Sequence, residues 1–330
     1  MILNIFQIIL IIIFFVIGGR KRNIYIDFLS RDYTNELRTI AILMVITHHV
    51  SNSLGSNLFT PFGGIGVAIF LIISGYGLNE SYKAKGLIGF WKNKILRVAL
   101  PCWLVDVVFA CISWQSFDII DFIQCVFCIK QDWYVRYLFY WYILFYVSTK
   151  YFRRYRLMFF SATSFLMLFS LPDIEAEQSV SFLIGFILSE YKENLSLKDN
   201  HYKITSGNKI FILLIIGILF LALKQIPLIR EYEGTSLFVI IQLIMKITLA
   251  LFVVLYYSIV VKIGYTSLFV RLCGLMSYEL YLIHCKFLSL IKESPSYFSI
   301  VEFYTITFVL SYILYKIDNN ITKFNKTCPK

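Results

Sequence analysis

The chain alternates between long apolar runs and short polar interruptions from one end to the other. A helix needs about 20 apolar residues to cross a hydrocarbon core about 30 Å thick, and runs near that length recur along the sequence. Charged or turn-forming residues separate the runs. The predicted spans are 2–18, 38–55, 63–79, 95–114, 133–149, 157–171, 179–190, 209–228, 236–261, 266–290 and 299–317. This pattern predicts an all-α polytopic membrane protein with about ten core transmembrane helices and one extra N-terminal transmembrane helix.

The spans divide the chain into three parts and leave no room for a separate soluble domain. We expect an extra transmembrane helix with a basic cytoplasmic linker at 1–30, a membrane domain at 31–317 and a cytoplasmic tail at 318–330. The first apolar run lacks a basic start and a small-residue cleavage site, and Arg20-Lys21-Arg22 follows it at once. It therefore predicts a retained helix rather than a cleaved signal peptide.

Composition supports the membrane assignment. Hydrophobic residues make up 58% of the chain and the mean hydropathy is +0.72, whereas soluble domains are about 45–50% apolar. The net charge of +11 comes from short loops between apolar runs, so we expect contact with membrane lipids and no nucleic-acid partner. Cys125-x-x-Cys128 has no histidine or second cysteine pair nearby, so it predicts packing and no metal site.

Loop charges predict the orientation in the membrane. Lysine and arginine concentrate in residues 80–97, in residues 150–156 and in the tail, whereas 51–62 carries no charge. Acidic residues mark the other connections, namely Asp118, Asp121, Asp132, Asp173, Glu175 and Glu177. Because basic loops stay inside, the N-terminus is predicted outside and the C-terminus in the cytoplasm of a cell membrane. The Phe-, Tyr-, Ile- and Lys-rich composition is typical of an AT-rich bacterial source.

Ionisable side chains within the spans are the candidates for chemistry. Placing a charged side chain in a membrane helix costs about 2.5–3.5 kcal/mol on insertion scales, so each is expected to have a structural or functional role. No carboxylate pair, Ser-His-Asp set or metal-ligand spacing is evident among them. The candidates are Arg38, His48, His49, Asp106, Arg136, Lys246, Glu279 and His284.

Helix geometry groups two of these residues. Arg38 and His49 lie eleven residues apart, which places them within about 20° of one another and about 16 Å apart along one helix face. His48 points about 80° away. The stripe suggests a polar channel that admits an anionic, elongated molecule from the cytoplasm. The alternative is that Arg38 anchors the helix at the interface and His49 bonds a neighbouring helix.

Five segments carry a family resemblance. Four are RTIAILMVITHH at 38–49, GVAIFLIISGYGL at 66–78, FWKNKILRVALPCW at 90–103 and SYELYLIH at 277–284. FLIGFIL at 182–188 is the fifth. Together they resemble the acyltransferase type 3 family, in the family's order, over about 31–317. The family's frequent acidic residue three positions before the arginine is Asn35 here, which leaves open how Arg38 is held.

The resemblance implies transfer of an acyl group, usually acetyl, from cytoplasmic acetyl-CoA to a carbohydrate hydroxyl at or beyond the outer face. Arg38 and His49 match the family's essential pair. Three basic residues at the inner mouth suit the phosphates of coenzyme A, namely Lys92, Lys94 and Arg97. Positive-inside topology is the alternative explanation for them. Four further residues are assigned a substrate or supporting role, namely Glu279, His284, Ser74 and Tyr76. Helix packing explains Ser74-Gly75-Tyr76 at least as well, because Gly75 permits a close approach of helices.

The leading hypothesis is a membrane O-acetyltransferase acting on a capsular or other cell-envelope polysaccharide, or on a lipid-linked sugar. His49 would take the proton of the acceptor hydroxyl or carry the acyl group itself, and the sequence does not separate these mechanisms. A transporter or flippase for a polar solute or lipid-linked sugar is the alternative. A receptor or assembly subunit without chemistry is a third. The sequence shows neither the internal repeat nor the paired broken helices typical of transporters.

Overall fold

The computed structural model describes residues 1–17, 19–21, 26–112, 123–124, 126, 133–192 and 207–327, and most of them are helical. In the first half the helices are α1 Ile2–Val16, α2 Arg31–Ser53, α3 Thr60–Lys85, α4 Phe90–Lys94, α5 Leu100–Ile112, α6 Trp133–Tyr151, α7 Arg156–Ser170 and α8 Asp173–Ala176. They continue as α9 Ser181–Glu190, α10 Gly207–Leu223, α11 Pro227–Arg230, α12 Ser236–Val260, α13 Leu268–Leu275, α14 Ser277–His284, α15 Ser289–Glu293 and α16 Tyr297–Thr327.

Short segments of other geometry connect these helices. A π-helical turn, Ile95–Ala99, joins α4 to α5, and 3₁₀ turns occupy Arg153–Tyr155, Val261–Ile263 and Cys285–Phe287. Strands β1 Gly19–Lys21 and β2 Tyr265–Ser267 pair antiparallel. The ribbon places the segment after α1 beside the entry to α13. No pattern in the sequence predicted this ribbon.

Several described helices are suited to cross a membrane. Four are long and apolar enough, namely α3, the run Phe90–Ile112, α12 and the Tyr297–Lys323 part of α16. A fifth is present if Leu268–Leu275 and Ser277–Glu293 count as one broken span. Shorter apolar helices, Ile2–Val16 and Ile210–Leu223, accompany them. The architecture is therefore that of a polytopic, helical membrane protein.

The predicted span at 266–290 is not one helix. The chain bends by 72° between α13 and the segment that begins at Ser277. Gly274 lies against the backbone of α2, where a Cβ atom would stand 2.1 Å from the carbonyl oxygen of Asn35. This approach draws α13 onto α2 before the chain turns. The predicted outer-loop acids Asp118, Asp121 and Asp132, like the Cys125-x-x-Cys128 pair, lie outside the described residues.

Glycines set the tightest helix crossing, between α3 and α9. A Cβ atom on Gly75 would stand 2.2 Å from the carbonyl oxygen of Phe182, and one on Gly185 would stand 1.9 Å from that of Ile72. Small residues permit such backbone contact between membrane helices. The close approach expected at Gly75 is present, and it fixes α3 beside the aromatic core, where Phe182 stacks on Trp141 with ring centroids 4.6 Å apart.

Ion pairs involve three of the charged residues within the predicted spans, and the first of these pairs is buried on both sides. Lys246 on α12 pairs with Glu177, and Arg136 on α6 pairs with Glu175. Both glutamates are buried, although they belong to a connection predicted outside the membrane. Asp106 on α5 lies 3.7 Å from the Lys286 ammonium. Each of these charges therefore has an opposite partner, and removing one partner of a buried pair is strongly destabilising because it leaves the other charge uncompensated.

Candidate active site

Arg38 lies where three cavities meet. Cavity A, about 370 Å³, is lined by Arg38 with Lys85, Lys94 and Arg97. Cavity B, about 530 Å³, extends from Arg38 past Glu279 to Tyr281. Cavity C, about 300 Å³, is lined by Arg38 with Tyr76, Glu80 and Lys192. One residue therefore lines all three spaces.

The start of α2 orients Arg38 without neutralising it. The Ser30 hydroxyl caps the helix by accepting a hydrogen bond from the backbone N–H of Tyr33 at 3.3 Å. Asn35 donates to the carbonyl oxygen of Arg271 at 3.1 Å, and Glu36 accepts from the Tyr257 hydroxyl. Both of these hydrogen bonds go to other segments, and in the described part of the chain no carboxylate lies within ion-pair distance of Arg38. The guanidinium is therefore available to an external anion.

Two of the three predicted phosphate partners lie in the same place as Arg38. Lys94 lines cavity A with its ammonium 4.2 Å from the Tyr142 ring centroid, a cation–π contact. Arg97 lines both cavity A and cavity B. Lys92 is exposed and lines none of cavities A, B and C. The structure thus groups Arg38, Lys94 and Arg97 and leaves Lys92 apart.

A series of ring contacts connects cavity B to His49. From cavity B the ring of Tyr134 packs on Tyr281 at 5.0 Å, Tyr281 on His284 at 5.7 Å, and His284 on His49 at 5.1 Å. His49 itself lines none of cavities A, B and C. His48 lies against Gly63, with its ring centroid 4.7 Å from that of His49. The two histidines therefore have different neighbours, as helix geometry predicts.

The hydrogen bonds of His284 determine its tautomer. Its Nδ1 lies 3.0 Å from the carbonyl oxygen of Leu280 and 2.8 Å from that of Tyr281, and both oxygens can only accept. Nδ1 must therefore carry a hydrogen. In the neutral ring Nε2 is then an acceptor, and the Cys285 sulfur lies 3.2 Å from it. His284 is fully buried, so this orientation is fixed by its own helix.

The remaining predicted residues line the cavities in different ways. Ser74 lines cavities A and B, and it shares cavity B with Tyr134. Tyr76 lines cavity C, where the Lys192 ammonium stands 5.6 Å from its ring centroid. Glu279 lines cavity B and is 5% exposed, and its Oε2 has no hydrogen-bond partner among the described residues. Glu279 therefore lines a cavity that Arg38 also lines, whereas His284 contacts His49.

Sequence reasoning missed the aromatic and thiol groups of the site. Tyr134 and Tyr142 flank Arg38, and Cys285 lies beside His284. Tyrosine and cysteine are common in apolar helices, so nothing in the sequence distinguished these three from packing residues. Tyr281 was present in the SYELYLIH segment without being assigned a role.

Comparison with known proteins identifies the class. A family profile described as an acyltransferase domain matches residues 32–323, which is most of the chain. No curated protein and no solved structure matches the sequence. The chain belongs to the acyltransferase 3 family, whose members are enzymes that transfer acyl groups. The resemblance in the sequence is confirmed, and membership favours an enzyme over a transporter or a receptor.

Proposed function

We propose that this protein is a membrane O-acetyltransferase that moves an acetyl group from cytoplasmic acetyl-CoA to a hydroxyl of an extracytoplasmic or lipid-linked polysaccharide. The proposal rests on Arg38, which lines three cavities and whose guanidinium has no carboxylate partner in the described chain. Phosphate oxygens are strong partners for such a group. Coenzyme A supplies phosphates at one end and a long thin arm that ends in the thioester.

Cavities A and B bind different parts of the acetyl-CoA donor. Lys94 and Arg97 stand with Arg38 at cavity A and bind the phosphates. The pantetheine arm follows cavity B toward Tyr281. Tyr134 and Tyr281 close the end of that cavity in front of the histidines. Rotation of these two rings opens a path for the thioester to His49.

His49 acts on the reacting atoms. As a general base it takes the proton of the acceptor hydroxyl while the oxygen attacks the thioester carbonyl carbon. The C–S bond breaks, and the proton passes to the sulfur of the departing coenzyme A. His284, with Nδ1–H held by two carbonyls, packs its ring against His49 with the centroids 5.1 Å apart and keeps that ring in position. Transient acylation of His49 is the other mechanism compatible with this geometry.

The orientation follows from loop charge. We propose ten core helices and one extra helix, with the N-terminus outside and the C-terminus in the cytoplasm of a bacterial cell membrane. Cavity A, with Lys85 at its rim, then opens to the cytoplasm, where acetyl-CoA is made. His49 lies toward the outer side, where a capsular or other cell-envelope polysaccharide is reached.

The test compares surface polysaccharide from three strains. A deletion strain should lose the acetyl signals in the proton NMR spectrum of the polysaccharide while polymer yield stays unchanged. The wild-type gene should restore the signals, and His49→Ala at equal membrane abundance should not. Unchanged acetylation in the deletion strain would contradict the proposal, and loss of the polymer itself would favour transport of a precursor.

A further inference from the structure

Three metal-ligand side chains meet at the histidine end of the site. His49 comes from α2, His284 ends α14, and Cys285 begins the following 3₁₀ turn. Their ligand atoms all lie within 4.8 Å of one another. His284 is fully buried, and the other two are partly buried. The sequence shows no metal motif here because the cluster forms only when α2 packs against α14.

We propose that a divalent cation of the zinc class binds to His49, His284 and Cys285 and thereby inhibits acyl transfer. The inhibitory part rests on the proposed function, because it assumes that His49 supplies the catalytic base. The binding part depends only on the cluster itself.

The three ligand atoms suit zinc and do not suit hard cations such as magnesium and calcium. Two imidazole nitrogens and one thiolate are typical zinc ligands, and sites with three protein ligands keep a fourth position for water or another group. Magnesium and calcium require oxygen ligands, and the cluster contains no carboxylate. Selectivity for zinc over magnesium and calcium follows from these residue types.

The distances and the neighbours of the cluster also fit. With Zn–N bonds of about 2.0–2.1 Å and a Zn–S bond of about 2.3 Å, tetrahedral ligand atoms lie roughly 3.3–3.6 Å apart. The His284–Cys285 contact of 3.2 Å is already close to that separation, and a pair of ligand atoms 4.8 Å apart must close by about 1.2–1.5 Å. Metal-binding histidines usually donate their other N–H to a carbonyl or carboxylate. His284 does so through Nδ1 and leaves Nε2 for the metal.

Zinc inhibits acyl transfer because it occupies the nitrogen lone pair that His49 needs as a base. A histidine nitrogen that coordinates zinc cannot accept a proton from the acceptor hydroxyl. The metal also fixes the His49 ring and places a cation where the acyl group is transferred. Zinc therefore acts at the step that His49 performs and leaves the phosphate-binding residues at cavity A untouched.

Direct metal binding is tested with Co²⁺ on the purified full chain. The background carries Cys125→Ser and Cys128→Ser, so that this pair cannot take metal. Co²⁺ should produce a thiolate-to-cobalt charge-transfer band that Cys285→Ser abolishes. Cys111→Ser, an exposed thiol on α5, is the matched control and should keep the band. Absence of the band, or its survival in Cys285→Ser, would overturn the site.

Inhibition is measured on the same proteins. Zn²⁺ should inhibit the background protein, while Mg²⁺ and Ca²⁺ at the same concentration should not. Loss of an outer-shell partner of a metal ligand typically costs about 10–100-fold in metal affinity. Cys285 is a direct ligand, so Cys285→Ser should raise the half-inhibitory zinc concentration at least tenfold. Equal zinc sensitivity in Cys285→Ser and Cys111→Ser would refute the inhibitory role. Cobalt binding in a protein that transfers no acetyl group with or without metal would instead refute the proposed function and leave the metal site standing.

Discussion

The crossing of α3 and α9 makes the sharpest prediction about stability. In Gly75→Ala the new methyl carbon would stand 2.2 Å from the Phe182 carbonyl oxygen, so the two backbones must separate by more than about 1 Å. Neither atom belongs to a flexible side chain, so we expect a loss near the top of the range of about 1–3 kcal/mol for overpacking. Gly77 lies on the same helix with nothing within 4 Å of its Cβ position. Gly77→Ala should therefore gain up to about 1 kcal/mol from helix propensity.

The assay is thermal unfolding in detergent, read as the folded peak in size-exclusion chromatography. Gly75→Ala should melt below the wild type and accumulate less in the membrane, whereas Gly77→Ala should melt at or above the wild-type temperature. Gly185→Ala, which meets the Ile72 carbonyl oxygen at 1.9 Å, should resemble Gly75→Ala. If Gly75→Ala and Gly77→Ala melt at the same temperature, the close approach of the helices is wrong.

Two further predictions concern the donor site and the orientation. Replacing both Lys94 and Arg97 with glutamine should raise the KM for acetyl-CoA, with a smaller effect on the KM for the acceptor. Lys92→Gln should leave the KM for acetyl-CoA unchanged, because Lys92 lines none of the three cavities. An unchanged donor KM in the correctly inserted double variant would leave Lys94 and Arg97 as topology signals only. In intact cells an impermeant thiol reagent should label Ser53→Cys and not Lys85→Cys, and the reverse pattern would invert the proposed orientation.

The sequence predicted well what depends on local periodicity. Apolar runs identified most helices within a few residues, for example 236–261 against the observed Ser236–Val260. The eleven-residue spacing separated the direction of His49 from that of His48, because one helix fixes both. The glycine at position 75 was expected to allow close packing, and it does.

Features that depend on packing between distant segments were not predictable in the same way. The break after α13 follows from contact of Gly274 with α2, which no local pattern encodes. The partner of Lys246 is Glu177, which appeared in the sequence as a loop acid. The approach of Cys285 and His284 to His49 requires the folded bundle. Arg38 could be selected from the sequence and lines three cavities, but the tyrosines beside it were hidden among many aromatic residues.

The central claim is that His49 performs the chemistry while its neighbour His48 only packs. The decisive measurement is acetylated product formed per folded protein for His49→Ala and His48→Ala in the same membranes. General-base catalysis is typically worth about 10²–10⁴ in rate, so His49→Ala should lose at least about a hundredfold. His48→Ala leaves a void beside Gly63 and should stay within a few-fold of the wild type. Near-normal activity in His49→Ala, or its abolition in His48→Ala alone, would contradict the assignment of the site.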